Sequence, residues 1–484
     1  MPQFTVLWTD VFVWLLLAAM ALYAFRVARQ RTLRATWLQV AYSAPALSAA
    51  VVLVCFVLVA LLDSVHYRPV LPTTSSTSKQ AMYSPVVRSA LDDLMALTQM
   101  GHPEATYSAP LALRQFTKQT EWIDGKAVRD YPRLKHAGTK LSTDADRDAD
   151  IWRRVLLGLT GGLLAGVLLA GVFTLCHKPW AAGFRAAAAR WWFGEQGIPW
   201  RAVWLTLLLL CCVAGVVLML GADYHVLGTD RTGNDVLRQA LKSVRTAVVI
   251  GTLTTLAMLP PALIFGISAG YFKGRVDDII QYVYTTLTSI PGVLLIAACV
   301  LMMQVYIDNN PDLFPTVASR ADLRLFLLCL ILGLTGWAGL CRLVRAEVLK
   351  LRELEFVQAA RAFGVGPMAI MWRHLLPNVM HIVLISSVLQ FSGLVLYEAV
   401  LSYLGIGVDP NMASFGTMID ASRSEMSRDP MIWWNLAAAF VFMLALVLSA
   451  NVFADAVQSA FDPRLRKFRP QRHHASKSAT GAQS

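Results

Sequence analysis

Long apolar runs separated by short charged stretches set the rhythm of this chain. Crossing a bilayer as a helix takes about 20 apolar residues. Nine stretches are apolar enough: 10–25, 41–62, 155–176, 202–222, 246–271, 279–306, 323–341, 379–406 and 432–455. The fifth holds Pro260-Pro261 and the sixth Pro291, so kinks are expected at both. A bundle tolerates them where neighbouring helices re-satisfy the backbone. The third run carries Gly158, Gly162 and Gly166, a spacing that lets a second helix approach closely.

Three segments break the rhythm. Residues 63–154 open Ser/Thr-rich and end acidic, with a helical apolar pattern at Val87, Leu91, Leu94 and Leu97 between. They read as a small extracytoplasmic subdomain, separable enough that removing 75–145 should leave the rest able to assemble. Residues 180–197, WAAGFRAAAARWWFGEQG, read as an interfacial helix with arginines and paired tryptophans. The third is EFVQAARAFGVGPMAIMWRHLLPN, 355–378. Helical spacing puts Phe356, Ala359, Ala360 and Phe363 on one face, and Met368, Met371, Trp372 and Leu375 on another. Gly364 and Gly366 allow a sharp turn, Pro367 suits a first helical turn, and Pro377 is expected to stop the second helix. Two short apolar faces left in water cost ~25 cal/mol per Å². They must fold onto the protein's own helices or dock into a partner's groove.

Composition agrees with a membrane protein: 56% hydrophobic, 15% charged and a mean hydropathy of +0.52. The net charge of +12 is not gathered into one stripe, which argues against nucleic acid. It follows sidedness instead. With the C-terminus inside, segments 26–40, 177–201, 272–278, 342–378 and the tail after 455 hold 22 of the 43 Lys and Arg. The short outer segments hold 7, with Arg324 just inside the seventh run, and the long loop holds 13. That orientation puts the N-terminus outside. The positive cluster RVARQRTLR follows the first apolar run, so this run reads as a retained helix rather than a leader. The seven cysteines lie in or beside apolar runs and read as free buried thiols.

The stretch 355–378 resembles the EAA loop of ABC-importer permeases, of the form E-A-A-x3-G-x9-I-x-L-P. Here it reads Gln358-Ala359-Ala360, then Gly364, then His374-Leu375-Leu376-Pro377, with Gln358 in place of Glu and His374 in place of Ile. The RHLLPN form is similar to the dipeptide/oligopeptide/nickel branch. LGTDRTGNDVL (227–237), GISAGYFKGRVDD (266–278), LSYLGIGVDP (401–410) and FDPRLR (461–466) resemble further segments of that branch in the same order. The resemblance spans about 203–467. It implies an all-α polytopic fold: a six-span type I permease core at 202–467, with its EAA loop at 355–378. Two extra helices in 1–62, the periplasmic loop 63–154 and a third extra span with the interfacial helix in 155–201 would precede the core. A basic tail, 468–484, would follow it. The implied setting is a bacterial inner membrane. The implied partners are a homologous second permease, one or two ATPase subunits that bind ATP and Mg, and a periplasmic substrate-binding protein, besides membrane lipid. Coupling to the ATPase would fall to Gln358, Ala359, Ala360, Arg361, Gly364, His374, Leu376 and Pro377. The cargo would be small peptides, with nickel complexes or peptide antibiotics as alternatives.

Glu398, near the outer end of the eighth run, is expected to face the translocation pathway. Arg342 and Arg345 read as positive-inside anchors, His374 as a packing or capping residue, and Asp230 and Asp235 as turn and cap formers. The chain has no G-x-x-x-x-G-K-[ST] loop, no H-E-x-x-H and no G-x-S-x-G, so it is not expected to be an enzyme. His66, His102 and His136 are too widely spaced for a ready metal site. An ion-coupled carrier or channel would need more charge within the spans than Glu398 supplies.

Overall fold

The computed structural model describes residues 3–70, 83–123, 126–139, 141, 144–176, 197–310 and 316–461. The tail 468–484 and, apart from Gly197, the expected interfacial helix lie outside them. The chain opens with β1 (Gln3–Phe4) and runs through α1 (Trp8–Arg29), α2 (Arg31–Ala41) and α3 (Ala44–Asp63). In the loop that follows, β2 (His66–Arg68) pairs antiparallel with β1 and with β3 (Arg88–Ser89). Helix α4 (Ala90–Ala96) starts from a capping box in which Ser89 and Asp92 satisfy each other's backbone N–H. A hairpin of β4 (Gln119–Ile123) and β5 (Lys126–Asp130) completes the loop. Then come α5 (Arg147–Cys176), α6 (Trp200–Gly221), α7 (Val236–Phe272), α8 (Gly274–Ser289) and α9 (Gly292–Asn309). The rest is α10 (Val317–Gly336), α11 (Ala338–Leu351), α12 (Glu355–Ala362), α13 (Pro367–Ile370), α14 (Leu376–Tyr403), α15 (Phe415–Glu425) and α16 (Trp434–Phe461).

Among the described residues eight helices are long and apolar enough to cross a membrane, or nine when α10 and α11, bent by 42° at Trp337, count as one span. The expected span 279–306 is two helices, because the chain breaks at Ile290-Pro291 and only α9 remains long and apolar enough. At Pro260-Pro261 the helix is not interrupted: α7 runs for 37 residues through both prolines. Its neighbour α11 packs closely along it, since a Cβ at Gly266 or Gly270 would press on the backbone or side chains of Cys341, Val344, Arg345 and Val348.

The small residues of α5 find their partner in α6. Side chains at Gly158 and Gly162 would collide with the backbone of Gly215–Val216 and Cys211–Cys212, and one at Gly215 would collide with Gly158. The two helices therefore meet backbone to backbone, with Gly166 placed against Leu208. Helix α3 contacts α6 and also α7 and α16, so the N-terminal spans are packed into the bundle rather than appended to it. Gly162→Leu is expected to force α5 and α6 apart at a cost of about 1–3 kcal/mol. A fall in the melting temperature of the detergent-solubilised chain, without loss of membrane insertion, is the measurement that checks it.

Candidate functional site

The bent segment 355–378 projects from one end of the bundle. Helix α12 ends in a Schellman motif: Gly364 takes φ +78°, its N–H reaches the Arg361 carbonyl at 3.1 Å, and Val365 N–H reaches the Ala360 carbonyl at 3.1 Å. A side chain at Gly364 would meet open space, so glycine is required there by backbone conformation and not by crowding. Gly366 precedes Pro367, which opens α13 in the position where a missing N–H costs nothing.

Two expectations fail here for one reason. Pro377 does not end the second helix; it sits in the first turn of α14, which α13 enters through one π turn, Met371–Leu375. The Leu376 N–H closes that turn onto the Met371 carbonyl, and this wider loop makes room for the proline ring and its missing donor. The extra residue in the turn also shifts the helix phase, so the expected face splits. Met371 and Leu375 are buried while Met368 and Trp372 point outward. In α12 the inward residues are Val357 and, half-buried, Ala360, whereas Phe356, Ala359 and Phe363 are exposed.

Val357, Ile370, Met371 and Leu375 join one buried cluster with Ile267, Tyr284, Val344 and Val348, so α7, α8 and α11 back the segment. Charges lock those supports together. Arg345 grips Asp277 with two hydrogen bonds of 2.6 Å, and Arg352 donates to the Tyr271 carbonyl at 2.7 Å. Arg345 is thus more than an interfacial anchor, and Arg342 lies over the Tyr284 ring at 5.4 Å. Phe363 (87% exposed), Met368 (65%) and Trp372 (64%) form the apolar outer face, with Gln358 and Arg361 beside it. Leu376 packs partly into the cluster, Pro377 is exposed, and His374 is half-buried with its ring 6.3 Å from Phe356. The expected coupling residues therefore divide into an outward set (Gln358, Ala359, Arg361, Gly364, Pro377) and an inward or half-buried set (Ala360, His374, Leu376).

At the opposite end, the loop after α3 folds over the turn between α6 and α7. Gly228 and Gly233, both at positive φ, let Ser108 and Glu104 approach so closely that a Cβ would strike their backbones. The backbones then pair: Thr229 N–H to the Ser108 carbonyl at 3.1 Å, and Glu104 N–H to the Gly233 carbonyl at 2.9 Å. Beneath them His225 lies buried between two carboxylates, with Nδ1 2.8 Å from Asp235 and Nε2 3.7 Å from Glu104. Burial alone would depress the imidazole, but Asp235 and Glu104 carry it up to about 9. Burial likewise opposes the Glu104 carboxylate, yet His225 and the N–H groups of Lys135 and His136 bring it down to about 2. Asp92 is desolvated too, but Lys242 at 2.7 Å and Arg238 at 2.8 Å hold it well below the usual carboxylate range. Asp235 also caps α7 through the Arg238 N–H at 3.1 Å, and Asp230 bonds within its own turn, both as expected of them.

Glu398 is 1% exposed and accepts a 2.7 Å hydrogen bond from Ser402 beside α15, so within this chain it borders no open space. A second buried group escaped the sequence reading. Arg245 reaches Asp10 and Thr9 at 2.6 Å each and faces Asp322 at 3.5 Å, while His66 meets Asp10 at 2.8 Å. Three charges sitting at the ends of separate apolar runs were its only trace. Among the described residues no group of three or more His, Cys, Asp or Glu is arranged to hold a metal ion.

Long apolar helices packed as a bundle, with a backed apolar protrusion at one end, define a polytopic membrane protein. The family model for the binding-protein-dependent transport system inner membrane component matches residues 262–467. The oligopeptide transport system permease protein OppC of Mycobacterium tuberculosis is 33% identical over 245 residues, 51% of this chain and 78% of that protein. The di/tripeptide transport system permease protein DppC of Pseudomonas aeruginosa is 30% identical over 246 residues, 51% and 74%. DppC of Bacillus subtilis, a dipeptide transport system permease, is 29% identical over 243 residues, 50% and 70%. The chain belongs to this family of inner-membrane permease subunits, which are not themselves catalytic and work with ATPase and substrate-binding partners.

Two outcomes follow from the loop's seating. The His225 contribution to stability is complete below pH 6.5 and fades as pH rises through about 9, while that of Glu104 is complete above pH 4.5 and fades toward 2. Subtilisin cleavage within 84–139 should therefore accelerate above pH 9 in the parent chain and lose this pH step in His225→Asn. Burial also reverses the expectation for the truncation of 75–145. Removing it strips partners from His225, Arg238, Lys242 and the Trp434 side of the outer cluster. Breaking the His225 group alone costs on the order of 3 kcal/mol. The truncated chain should show lower yield of monodisperse protein on gel filtration.

Proposed function

We propose that this chain is one permease half of an ATP-driven importer for small peptides, with the path formed between it and a homologous permease. The N-terminus lies on the periplasmic side and the C-terminus in the cytoplasm, as the distribution of Lys and Arg favours. ATP and Mg are bound by the ATPase partners and no cofactor by this chain. Peptide cargo is supported by the relatives, which are permease proteins of dipeptide, di/tripeptide and oligopeptide transport systems. One observation carries the mechanical part: the exposed apolar tip at Phe363, Met368 and Trp372 stands on a base buried among α7, α8 and α11.

A groove in the ATPase covers that tip, and removing its apolar surface from water drives docking. The π turn makes α13 continuous with α14, so displacement of the tip becomes a tilt of a spanning helix. Tilting two such halves against each other exchanges outer for inner access. Glu398 packs against Gly416 at the start of α15 next to the path; its burial inside one chain favours a bracing role over a lining one.

Cysteine cross-linking tests the docking. Phe363→Cys should link to the ATPase in membranes containing the whole transporter, whereas Ala360→Cys, turned inward, should link poorly. A tip that links to nothing but its own spans removes the proposal. Gly364→Pro cannot adopt φ +78° and loses the N–H bonded to Arg361. Insertion should be normal while uptake of a labelled tripeptide falls by about tenfold or more.

A further inference from the structure

We infer that the elbow between α1 and α2 is a binding site for an anionic phospholipid, its phosphate held by Arg26, Arg29, Arg31 and Arg34 and its acyl chains lying along the exposed half of α1. The four arginines fall within nine residues and all are exposed. The sequence has no Asp or Glu between Asp10 and Asp63, so the cluster has no neighbouring carboxylate along the chain. Among the described residues none of the four takes part in an ion pair; Arg29 only lies over the Phe25 ring at 4.2 Å.

The elbow is fixed, not loose. Trp37 stacks on Phe453 and meets Phe461 edge-on, and its Nε1 donates to the Tyr23 hydroxyl at 3.1 Å. Val40 is buried with Ala46, Val457 and Ala460 against partly buried Leu384, which puts the elbow at the same end of the bundle as the bent segment. Trp37 and Tyr23 form the kind of aromatic pair that sits at a membrane interface.

The shaft above it is bare. Helix α1 is anchored at its start by Trp8 against Phe326, Asp10 on Arg245 and buried Val13. Residues 18–26 are then all exposed, on every side of the helix. The eight of them before Arg26 rise about 12 Å, close to the roughly 15 Å depth of one leaflet's hydrocarbon. An apolar shaft of leaflet depth ending in four unpaired arginines matches a diacyl chain and its phosphate. A soluble anion would use the arginines and leave the shaft empty. Each arginine beside an anionic surface raises affinity about fivefold.

The inference does not depend on the cargo. Native mass spectrometry of the purified full chain, with added phosphatidylglycerol or phosphatidylcholine, tests it. Phosphatidylglycerol should be retained more than about tenfold over phosphatidylcholine. The combined variant Arg26→Gln, Arg29→Gln, Arg31→Gln, Arg34→Gln should bring that ratio near one, with gel filtration showing an unchanged monodisperse peak. The corresponding four-lysine variant should keep most of the preference. Equal retention of the two lipids by the parent chain, or a preference untouched by the glutamine variant, overturns the inference. So does displacement of the lipid by a co-expressed partner permease, which would assign the shaft to a helix of that partner.

Discussion

A short exposed helix moves a spanning helix only if nothing between them yields. In this chain the requirement is met by burial under the tip: Val357, Ile370 and Leu375 are almost wholly inaccessible, and each rests on helices that are themselves cross-braced. The Arg345–Asp277 pair is bidentate, so it fixes α8 in orientation as well as distance from α11. Interiors packed this way shift between discrete arrangements rather than deforming gradually. On the proposed coupling, displacement at Phe363 would be passed on to α14 instead of being absorbed by side-chain rearrangement.

The same constraint gives the N-terminal third a role that composition alone does not suggest. Polar and charged groups are expensive to bury unless fully partnered. The loop after α3 brings Glu104 to His225 and Asp92 to Arg238 and Lys242, and α1 brings Asp10 to Arg245. Val236, Trp434 and Phe415 share one cluster with Tyr107 from the loop and Ala60 from α3. The family match begins at residue 262, yet much of what closes the far end of the bundle comes from residues before it.

How much of this the sequence disclosed depended on the range of the interaction. Spans were legible because a bilayer demands a long apolar run, whatever packs beside it. Gly364 was legible because a residue at positive φ after a short helix leaves a local mark, and the glycines of α5 announced a close neighbour without saying which. Local pattern could not reveal the π turn, since 3.6-residue spacing fits Met368, Met371, Trp372 and Leu375 equally well until Pro377 forces a wider loop. Nor could it reveal the seat of the loop, which depends on residues such as Ser108 and Thr229 more than a hundred positions apart. Asp10, Arg245 and Asp322 left no readable pattern, because their partners lie on other helices.

The two ends of the molecule are not independent. Helix α7 begins at the cap made by Asp235, the same carboxylate that holds His225, and its other end passes Gly266 and Gly270 under α11. At 37 residues it is about 55 Å long, and it carries residues both of the loop's charge cluster and of the base of the tip. Its two prolines leave it an unbroken helix. In the proposed orientation, outer and inner events would share this helix as a lever, with the buried charges around His225 holding its outer end.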